Sequence, residues 1–423
     1  MSFGITSSGF GEGEAFHRTS PDGVRGEKAI LHSPEVLRSR TGTTQQESWR
    51  LSRITQYAIA RSSRDRACRW QPSGYRIDAG IESNAVVTEA HPSHHRSDGR
   101  FQNPWPSSAP QGLGGILRWM LYDRVVHPRA ADPPASAFPV ATSSFTVPRE
   151  DRDLLSATWV GHSTVLLQFG GTNILTDPIW SARASPVAFA GPRRIVGPAV
   201  SLGALPPLDV VLLSHNHYDH LDDRTVRALA ERDPDAVWAV PLGLAQFVRA
   251  RGVQHVAELD WWQTTAVGTL TLTCAPAQHF SARGLGDRNR TLWCSWSVAT
   301  SGRAVYFGGD TAYHTDFAQI GERCGPFDLT LLPIGAYEPR WFMRSVHMSA
   351  DEAVRAHLDL TSAWPGTPRA PLLPIHWGTF RLTDEPLEEP PARARAAWSA
   401  AGLPLNDLWL LRHGETRRVA LAR

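Results

Sequence analysis

The sequence contains little cysteine, almost no lysine and no long apolar run. Its four cysteines are far apart and form no Cys-x-x-Cys pair, so neither a disulfide framework nor a thiolate zinc knuckle is expected. Lys28 is the only lysine among 43 basic residues, and the net charge of +2 favours neither a nucleic-acid-binding protein nor an acidic tail. No apolar run approaches the roughly 18 residues of a membrane span, and no signal-peptide pattern opens the chain. We therefore expect a cytoplasmic protein.

The first 95 residues differ in composition from the rest of the chain. Residues 1–95 are rich in Ser, Arg, Gly and Thr and lack a sustained period of either 2 or 3.6 residues. We expect them to be a disordered extension or a stretch that is not part of the working protein, and the sequence does not separate these two readings. Residues 96–423 show no second shift in composition, which predicts one α/β domain over this range.

Residues 112–127 have the periodicity of an amphipathic helix. Their apolar positions at i, i+3 and i+4 spacing are Leu113, Ile116, Leu117, Met120, Leu121 and Val125. The favoured reading is a helix that packs this face on its own domain. The alternative is a helix that contacts a membrane surface peripherally, with Trp119 at the interface.

Most of the remaining chain has strand-like patterns with turn signals between them. Residues 157–178 are interrupted by a Gly-Gly pair, which predicts a hairpin. Residues 208–214 form a continuous apolar run, which is typical of a strand covered on both faces. Further strands are predicted at 268–277, 292–300 and 303–310.

Two helices have recognisable N-terminal signals. Asp222 or Asp223 is placed to cap a helix that runs to about Arg232. Ser349 and Glu352 have the spacing of a capping box, which predicts a helix over residues 349–360.

A cluster of metal-binding residue types follows the apolar run 208–214. His215, His217, Asp219 and His220 form the pattern H-x-H-x-D-H. On an extended chain, residues i and i+2 point the same way, so the first two histidines can hold one ion, while the following turn directs Asp219 and His220 to a second. A loop of solvated histidines is the alternative, but four such groups within six positions behind a buried strand disfavour it.

Three more such side chains stand at the ends of predicted strands. They are His279 in APAQHF, Asp310 in YFGGDT and His376 in PIHWG. A lone residue of this kind is more often structural, but their recurrence beside the H-x-H-x-D-H loop predicts one shared site. Imidazole and carboxylate ligands without thiolate suit Zn²⁺, and such sites less often bind other divalent metals such as Fe or Mn.

This series of motifs resembles the metallo-β-lactamase superfamily. The resemblance implies an αββα four-layer sandwich with a dinuclear metal site. From about residue 98 onward, GRFQNPWP, TWVGHSTVLLQ, ELDWWQ, IGAYEPRWFM and IHWGTF resemble more specifically the N-acylphosphatidylethanolamine-hydrolysing phospholipase D family.

The resemblance also implies roles for individual residues. One zinc ion would be bound by His215, His217 and His279, the other by Asp219, His220 and His376, and Asp310 would bridge both. Asp219, Asp310 and His347 would be the catalytic residues, with His347 near the substrate phosphate. Second-sphere or structural roles are expected for His162 and Asp177.

The resemblance also indicates residues that would contact substrate. In the family, one segment carries a polar and an aromatic residue that approach substrate. The corresponding residues of this sequence are Val187, Ala188 and Phe189, so Phe189 keeps the aromatic group and the polar group is absent. The side chains of Tyr337, Trp341 and Phe342 could line a lipid groove, or they could belong to a packed loop.

The resemblance implies a zinc-dependent phosphodiesterase. A hydroxide shared by two zinc ions would attack the phosphorus of an N-acylphosphatidylethanolamine-like lipid and yield N-acylethanolamine and phosphatidate. The alternative is a hydrolase of another ester, a lactone or a soluble phosphodiester. A non-catalytic scaffold is disfavoured because every ligand position is filled, and a β-lactamase because no signal peptide is present. The expected partner is a phospholipid and not a nucleic acid, and a homodimer is compatible with the sequence.

Overall fold

The computed structural model describes residues 93–105, 112–284, 286–367 and 369–421. The prediction of a disordered or dispensable extension therefore falls almost entirely outside the described residues. Among those that are described, the strands form two sheets.

The first sheet has seven strands in the order β13-β1-β2-β3-β4-β5-β6. Their bounds are β1 Leu154–Gly161, β2 Thr164–Phe169, β3 Thr172–Thr176, β4 Val210–Leu212, β5 Val237–Pro241, β6 His255–Leu259 and β13 Thr416–Ala420. The Gly-Gly pair at 170–171 forms the predicted hairpin, because both glycines have positive φ and Phe169 pairs with Thr172 across the turn. Strand β4 runs parallel to β3 and β5 and is buried along its whole length, as predicted.

The second sheet has six strands in the order β12-β11-β10-β9-β8-β7. Their bounds are β7 Thr264–Val267, β8 Leu270–Ala275, β9 Ser295–Thr300, β10 Arg303–Phe307, β11 Leu329–Pro333 and β12 Leu372–Ile375. Strands β10, β11 and β12 run parallel, whereas β7 to β10 are joined antiparallel. The strands predicted at 268–277, 292–300 and 303–310 correspond to β8, β9 and β10.

Helices cover the outer face of each sheet. The α-helices of the described residues, not all of which pack on a sheet, are α1 Leu113–Leu117, α2 Arg124–Val126, α3 Asp223–Arg232, α4 Ala245–Arg249, α5 Phe317–Cys324, α6 Arg340–Met343, α7 Ala350–Thr361 and α8 Glu389–Ala400. Val226 and Leu229 of α3 pack on the first sheet, and Phe317 of α5 and Trp398 of α8 pack on the second.

The largest apolar cluster lies between the two sheets. It joins Leu167 and Leu212 of the first sheet to Leu272, Trp296 and Phe307 of the second. Burial of this apolar area is the main stabilising contribution to the fold. With helices outside both sheets, the chain has the expected αββα four-layer sandwich.

The helical segment 112–127 does not pack on the domain in the way that its spacing predicts. It consists of α1, a π-helical segment Arg118–Asp123 and α2. The apolar face predicted to pack on the domain is exposed, with Leu117 57%, Met120 52%, Leu121 69% and Val125 74% accessible. Trp119, placed at an interface by the alternative reading, is instead buried against Phe342. One turn of π-helix shifts the register, so that the tryptophan rather than the aliphatic stripe faces the protein.

The two predicted helix starts have different outcomes. Ser349 and Glu352 form the predicted capping box at the start of α7, in which each side chain bonds to the other residue's backbone N–H. Asp222 occupies the N-cap position of α3, but its side chain does not cap the backbone. Its carboxylate instead accepts hydrogen bonds from Ser181 and from the hydroxyl of Thr225.

None of the helices in the described ranges is both long and apolar enough to cross a membrane.

Candidate metal centre

The seven predicted metal ligands lie at strand ends along one edge of the sandwich. Residues 215–220 follow β4 of the first sheet, whereas His279, Asp310 and His376 follow β8, β10 and β12 of the second. Strand ends of both sheets therefore carry the ligands to a common place, although 161 positions separate the first ligand from the last.

Three histidines form one group of potential ligands. Nε2 of His215 lies 2.7 Å from Nδ1 of His217, and Nε2 of His279 lies 3.2 Å from the same Nδ1 atom. The three rings pack edge to face and are not stacked, and their nitrogen atoms point toward a common position. This arrangement suits one metal ion with three imidazole ligands.

Two histidines and Asp219 form the second group. Nε2 of His220 and Nε2 of His376 each lie 3.4 Å from Oδ2 of Asp219. Oδ2 of Asp310 lies 3.1 Å from the same two nitrogen atoms. It is also 4.0 Å from Nε2 of His215 and 3.8 Å from that of His279. Asp310 is thus the carboxylate that lies between both groups.

Two buried residues orient these ligands. Asp177 accepts hydrogen bonds from Nδ1 of His220, at 2.6 Å, and from the hydroxyl of Ser214, at 2.5 Å. His162 bonds through Nε2 to Oδ2 of Asp219 at 2.9 Å. Hydrogen bonds of this kind fix the tautomer and the ring orientation of a metal-binding histidine.

The backbone around the ligands is strained. His162, Asp177 and His376 have φ values of 56°, 32° and 62°, which L-residues rarely adopt. Gly309 has φ 57°, and a Cβ atom there would lie 2.4 Å from Cβ of Ser214. The second glycine of YFGGD is therefore required so that the Asp310 loop can approach the strand end that carries His215.

Burial and charge divide the histidines into two classes. Burial lowers the pKa of His217 to about 3 and that of His279 to about 4, so both rings are neutral and free to bind a metal near pH 7. Burial also opposes protonation of His376, yet the carboxylates of Asp310 and Asp219 raise its pKa to about 9. The carboxylates thus favour positive charge at this end of the cluster.

The donor set fits a divalent metal ion. Nε2 of His220, Nε2 of His376 and Oδ1 of Asp310 are buried without a hydrogen-bond partner. Unpaired buried polar atoms are costly unless a ligand satisfies them. Their convergence, with imidazole and carboxylate donors alone, matches the ligand preferences of zinc and related metals.

His347 lies beside this cluster, as the resemblance implies. Its Nε2 is 3.9 Å from Oδ2 of Asp310, and its ring contacts those of His279 and His376. Burial lowers the pKa of His347 well below its usual value, and its Nδ1 has no hydrogen-bond partner. The ring is therefore neutral and available to bind a further group.

Trp341 and Phe342 lie in an apolar cluster next to the histidines. The cluster, here called the apolar bridge, consists of Trp119, Phe280, Trp341, Phe342, Met343 and Val346. The Phe280 ring is 4.5 Å from that of His217, and Nδ1 of His279 donates to the carbonyl of Val346 at 2.7 Å. Sequence reasoning did not single out Phe280, although its position next to a ligand was a signal.

Tyr337 and Phe189, the other two predicted substrate contacts, make no hydrogen bond or ring contact with the seven ligand residues in the part of the chain that the structure describes. Tyr337 is fully buried, and its hydroxyl donates to Glu389. Phe189 is 83% exposed on a loop whose Val187 and Ala188 line a cavity of about 540 Å³. Tyr218, from the H-x-H-x-D-H loop, lines the same cavity.

Comparisons with known proteins agree with this fold. The family model described as a β-lactamase superfamily domain matches residues 172–377. An uncharacterized protein of Mycobacterium tuberculosis is 45% identical over 336 residues, which are 78% of this chain and 86% of that protein. The isothiocyanate hydrolase from Delia radicum gut bacteria superposes with a TM-score of 0.50 at 20% identity, over 63% of this chain and 100% of that one, which shows the fold alone.

Some of the relatives have a named activity. The N-acyl-phosphatidylethanolamine-hydrolyzing phospholipase D 1 of Caenorhabditis elegans is 44% identical over 238 residues. The match covers 54% of this chain and 65% of that protein. Family match, layered fold and clustered ligands together show that this chain belongs to the metallo-β-lactamase superfamily and is a hydrolase.

Proposed function

We propose that this hydrolase is a zinc-dependent phosphodiesterase of the phospholipase D type. It would hydrolyse N-acylphosphatidylethanolamine-like lipids to N-acylethanolamine and phosphatidate. The 44% identity to the Caenorhabditis elegans phospholipase supports this substrate class over part of the chain. The apolar bridge is the structural observation that carries the proposal.

The apolar bridge connects the candidate metal centre to an exposed apolar surface. On one side Phe280 contacts His217, and on the other Trp119 packs on Phe342. The helical segment that contains Trp119 exposes an apolar stripe, which consists of Leu117, Met120, Leu121 and Val125. A soluble ester needs no such route, whereas a lipid needs apolar surface from the bilayer to the reacting phosphate.

Two zinc ions fit the two groups of ligands. His215, His217 and His279 would hold one ion, Asp219, His220 and His376 the other, and Asp310 both. When bound, such a pair supplies Lewis-acid stabilisation of phosphoryl oxygens and a water of lowered pKa.

The side chains of the protein supply positioning and proton transfer. Asp219, whose Oδ2 lies 2.9 Å from Nε2 of His162, would orient the attacking water and accept its proton. Neutral His347 would donate a hydrogen bond to a non-bridging phosphate oxygen. Attack of water on phosphorus breaks the bond to the alcohol oxygen, which takes up a proton and leaves as N-acylethanolamine.

The apolar stripe would hold the enzyme peripherally on a lipid surface. Arg118 and Arg124 flank it, with the guanidinium of Arg118 over the Trp341 ring and that of Arg124 over the Trp119 ring. Cationic side chains beside an apolar helix face favour binding to anionic membranes.

A substrate panel tests the proposal. The zinc-loaded full chain is incubated with N-acylphosphatidylethanolamine, phosphatidylcholine, bis-p-nitrophenyl phosphate and homoserine lactone, and products are identified by mass spectrometry. The proposal predicts phosphatidate and N-acylethanolamine from the first lipid as the fastest reaction. Preferred turnover of the lactone, or of the soluble diester over both lipids, would favour the alternative hydrolase instead.

A further inference from the structure

Two adjacent histidines and a distant aspartate converge away from the ligands of the candidate metal centre. Nε2 of His94 lies 2.7 Å from Oδ1 of Asp260, and Nε2 of His95 lies 2.8 Å from Oδ2 of the same carboxylate. The ligand atoms of the three side chains lie within 4.8 Å of one another. Asp260 directly follows β6, so tertiary packing rather than local chain geometry brings the three together.

Well-defined contacts fix the ligand directions. The chain turns back at Gly99, where φ is 73°, and His95 pairs with Phe101 across the turn. The ring of His94 stacks on Trp261 with centroids 4.3 Å apart, next to Asp260 in the chain. The side chains of His94 and Asp260 are mostly buried, and that of His95 is 28% exposed.

We propose that His94, His95 and Asp260 bind a divalent transition-metal ion, of which zinc is the simplest candidate. Two imidazoles and one carboxylate are a common protein ligand set for zinc, and they leave one coordination position for water. Among the described residues no arginine or lysine forms an ion pair with Asp260, whose carboxylate pairs with the two histidines.

The ion requires a small rearrangement. Zinc lies about 2.0–2.1 Å from its ligands, so tetrahedral ligand atoms are about 3.3 Å apart. The observed nitrogen–oxygen separations of 2.7 and 2.8 Å must therefore open by about half an ångström. The partial exposure of His95 leaves its ring room to make that movement.

The site would stabilise the candidate metal centre indirectly, through the segment that follows it in the chain. Residues 94–105, here called the strap, run from this site to the loop that carries His279. Within the strap, the side-chain amide of Asn103 donates to the carbonyl of His279 at 2.8 Å, and the N–H of Phe101 donates to the carbonyl of Asn289 at 2.8 Å. An ion at the start of the strap therefore fixes a segment that supports a ligand-bearing loop.

Metal content tests the site without reference to activity. The full chain and its variants are loaded with zinc, freed of unbound metal by gel filtration and analysed for metal per chain. We expect about one equivalent less in the His94→Ala/His95→Ala variant and in Asp260→Asn than in the wild type. The control is His255→Ala, an exposed histidine in β6, which keeps the full content. Equal content in all four proteins would overturn the proposal.

A second measurement uses the wild type alone and does not depend on a variant that folds. Diethyl pyrocarbonate modifies accessible imidazole nitrogens. Mass spectrometry measures the rate at which His95 is modified, once in the presence of zinc and once in the presence of a chelator. Zinc should slow modification of His95 at least several-fold relative to the exposed reference His255. An unchanged ratio would show that the two histidines only hydrogen-bond Asp260, and the proposal would be wrong.

Discussion

Asp177 and His220 form a fully buried hydrogen bond, with Oδ2 of Asp177 2.6 Å from Nδ1 of His220. Because Nδ1 faces Asp177, Nε2 is the ring nitrogen that faces Asp310, at 3.1 Å from its Oδ2. The candidate metal centre thus depends on a residue that is not itself one of the seven predicted ligands.

Replacing Asp177 by Asn should weaken metal binding by about 10–100-fold. The neutral amide lacks the carboxylate charge that holds the proton of His220 on Nδ1. Competition with a chromophoric chelator measures the change. Asp328→Asn is a matched control, since that carboxylate is partly buried and paired with Arg303 at the start of β10. Equal zinc affinity in wild type and Asp177→Asn would contradict the assigned role.

Replacing Asp310 by Asn should remove the carboxylate charge shared by both groups of ligands. We expect metal content to fall and turnover to drop by at least about 10²–10³-fold, the usual scale for loss of one key electrostatic contact. Metal analysis and steady-state kinetics on bis-p-nitrophenyl phosphate measure the two effects, and near-UV circular dichroism checks the fold. Full metal content with full activity would rule out a bridging role for Asp310.

The triple variant Leu117→Ser, Leu121→Ser, Val125→Ser should reduce binding to lipid vesicles by about 100-fold. Three exposed aliphatic side chains that bury about half of their apolar area in lipid contribute about 3 kcal/mol to binding, and 1.4 kcal/mol corresponds to a factor of ten. Vesicle co-sedimentation measures the partition, and turnover of a soluble diester should not change. Leu405→Ser removes another exposed leucine, 48% accessible and outside the apolar stripe, and serves as control. Unaltered partition of the triple variant would show that another surface contacts lipid.

Asp384→Ala should release the helical segment that carries the apolar stripe. Its carboxylate accepts hydrogen bonds from the indole N–H of Trp119, from Nε of Arg124 at 3.3 Å and from Nε of Arg129 at 2.5 Å. Limited trypsin digestion should cut at Arg118 and Arg124 several-fold faster, while the melting temperature of the domain changes little. If cleavage stays at the wild-type rate, packing of Trp119 alone holds the segment.

The α/β class and the positions of the seven ligand residues near strand ends could be predicted from local sequence features, whereas the four-layer arrangement was implied by the resemblance to the superfamily. Each ligand lies in the loop that follows a strand, and the buried run 208–214 marks where the H-x-H-x-D-H loop begins. Strand ends that share an edge converge without any long-range information. The pairing of Asp219 with His162 could not be derived in this way, because it depends on a turn with positive φ at His162.

Two features could not be obtained from periodicity or motifs. The stripe of residues 112–127 has the spacing of a core-facing helix, but spacing does not show whether a partner surface exists, and the π-helical segment turned Trp119 inward instead. The contact of His94 and His95 with Asp260 joins positions about 165 residues apart, and neither histidine stands at a predicted strand end. Only tertiary structure shows such a pairing.

Hydrolysis in ¹⁸O-labelled water tests the proposed reaction most directly. The zinc-loaded full chain is incubated with N-acylphosphatidylethanolamine, and mass spectrometry locates the label. Attack of water on phosphorus predicts one ¹⁸O atom in phosphatidate and none in N-acylethanolamine. Label in the alcohol, or release of a free fatty acid instead of these products, would contradict the assignment of the chain as a phospholipase D-type phosphodiesterase.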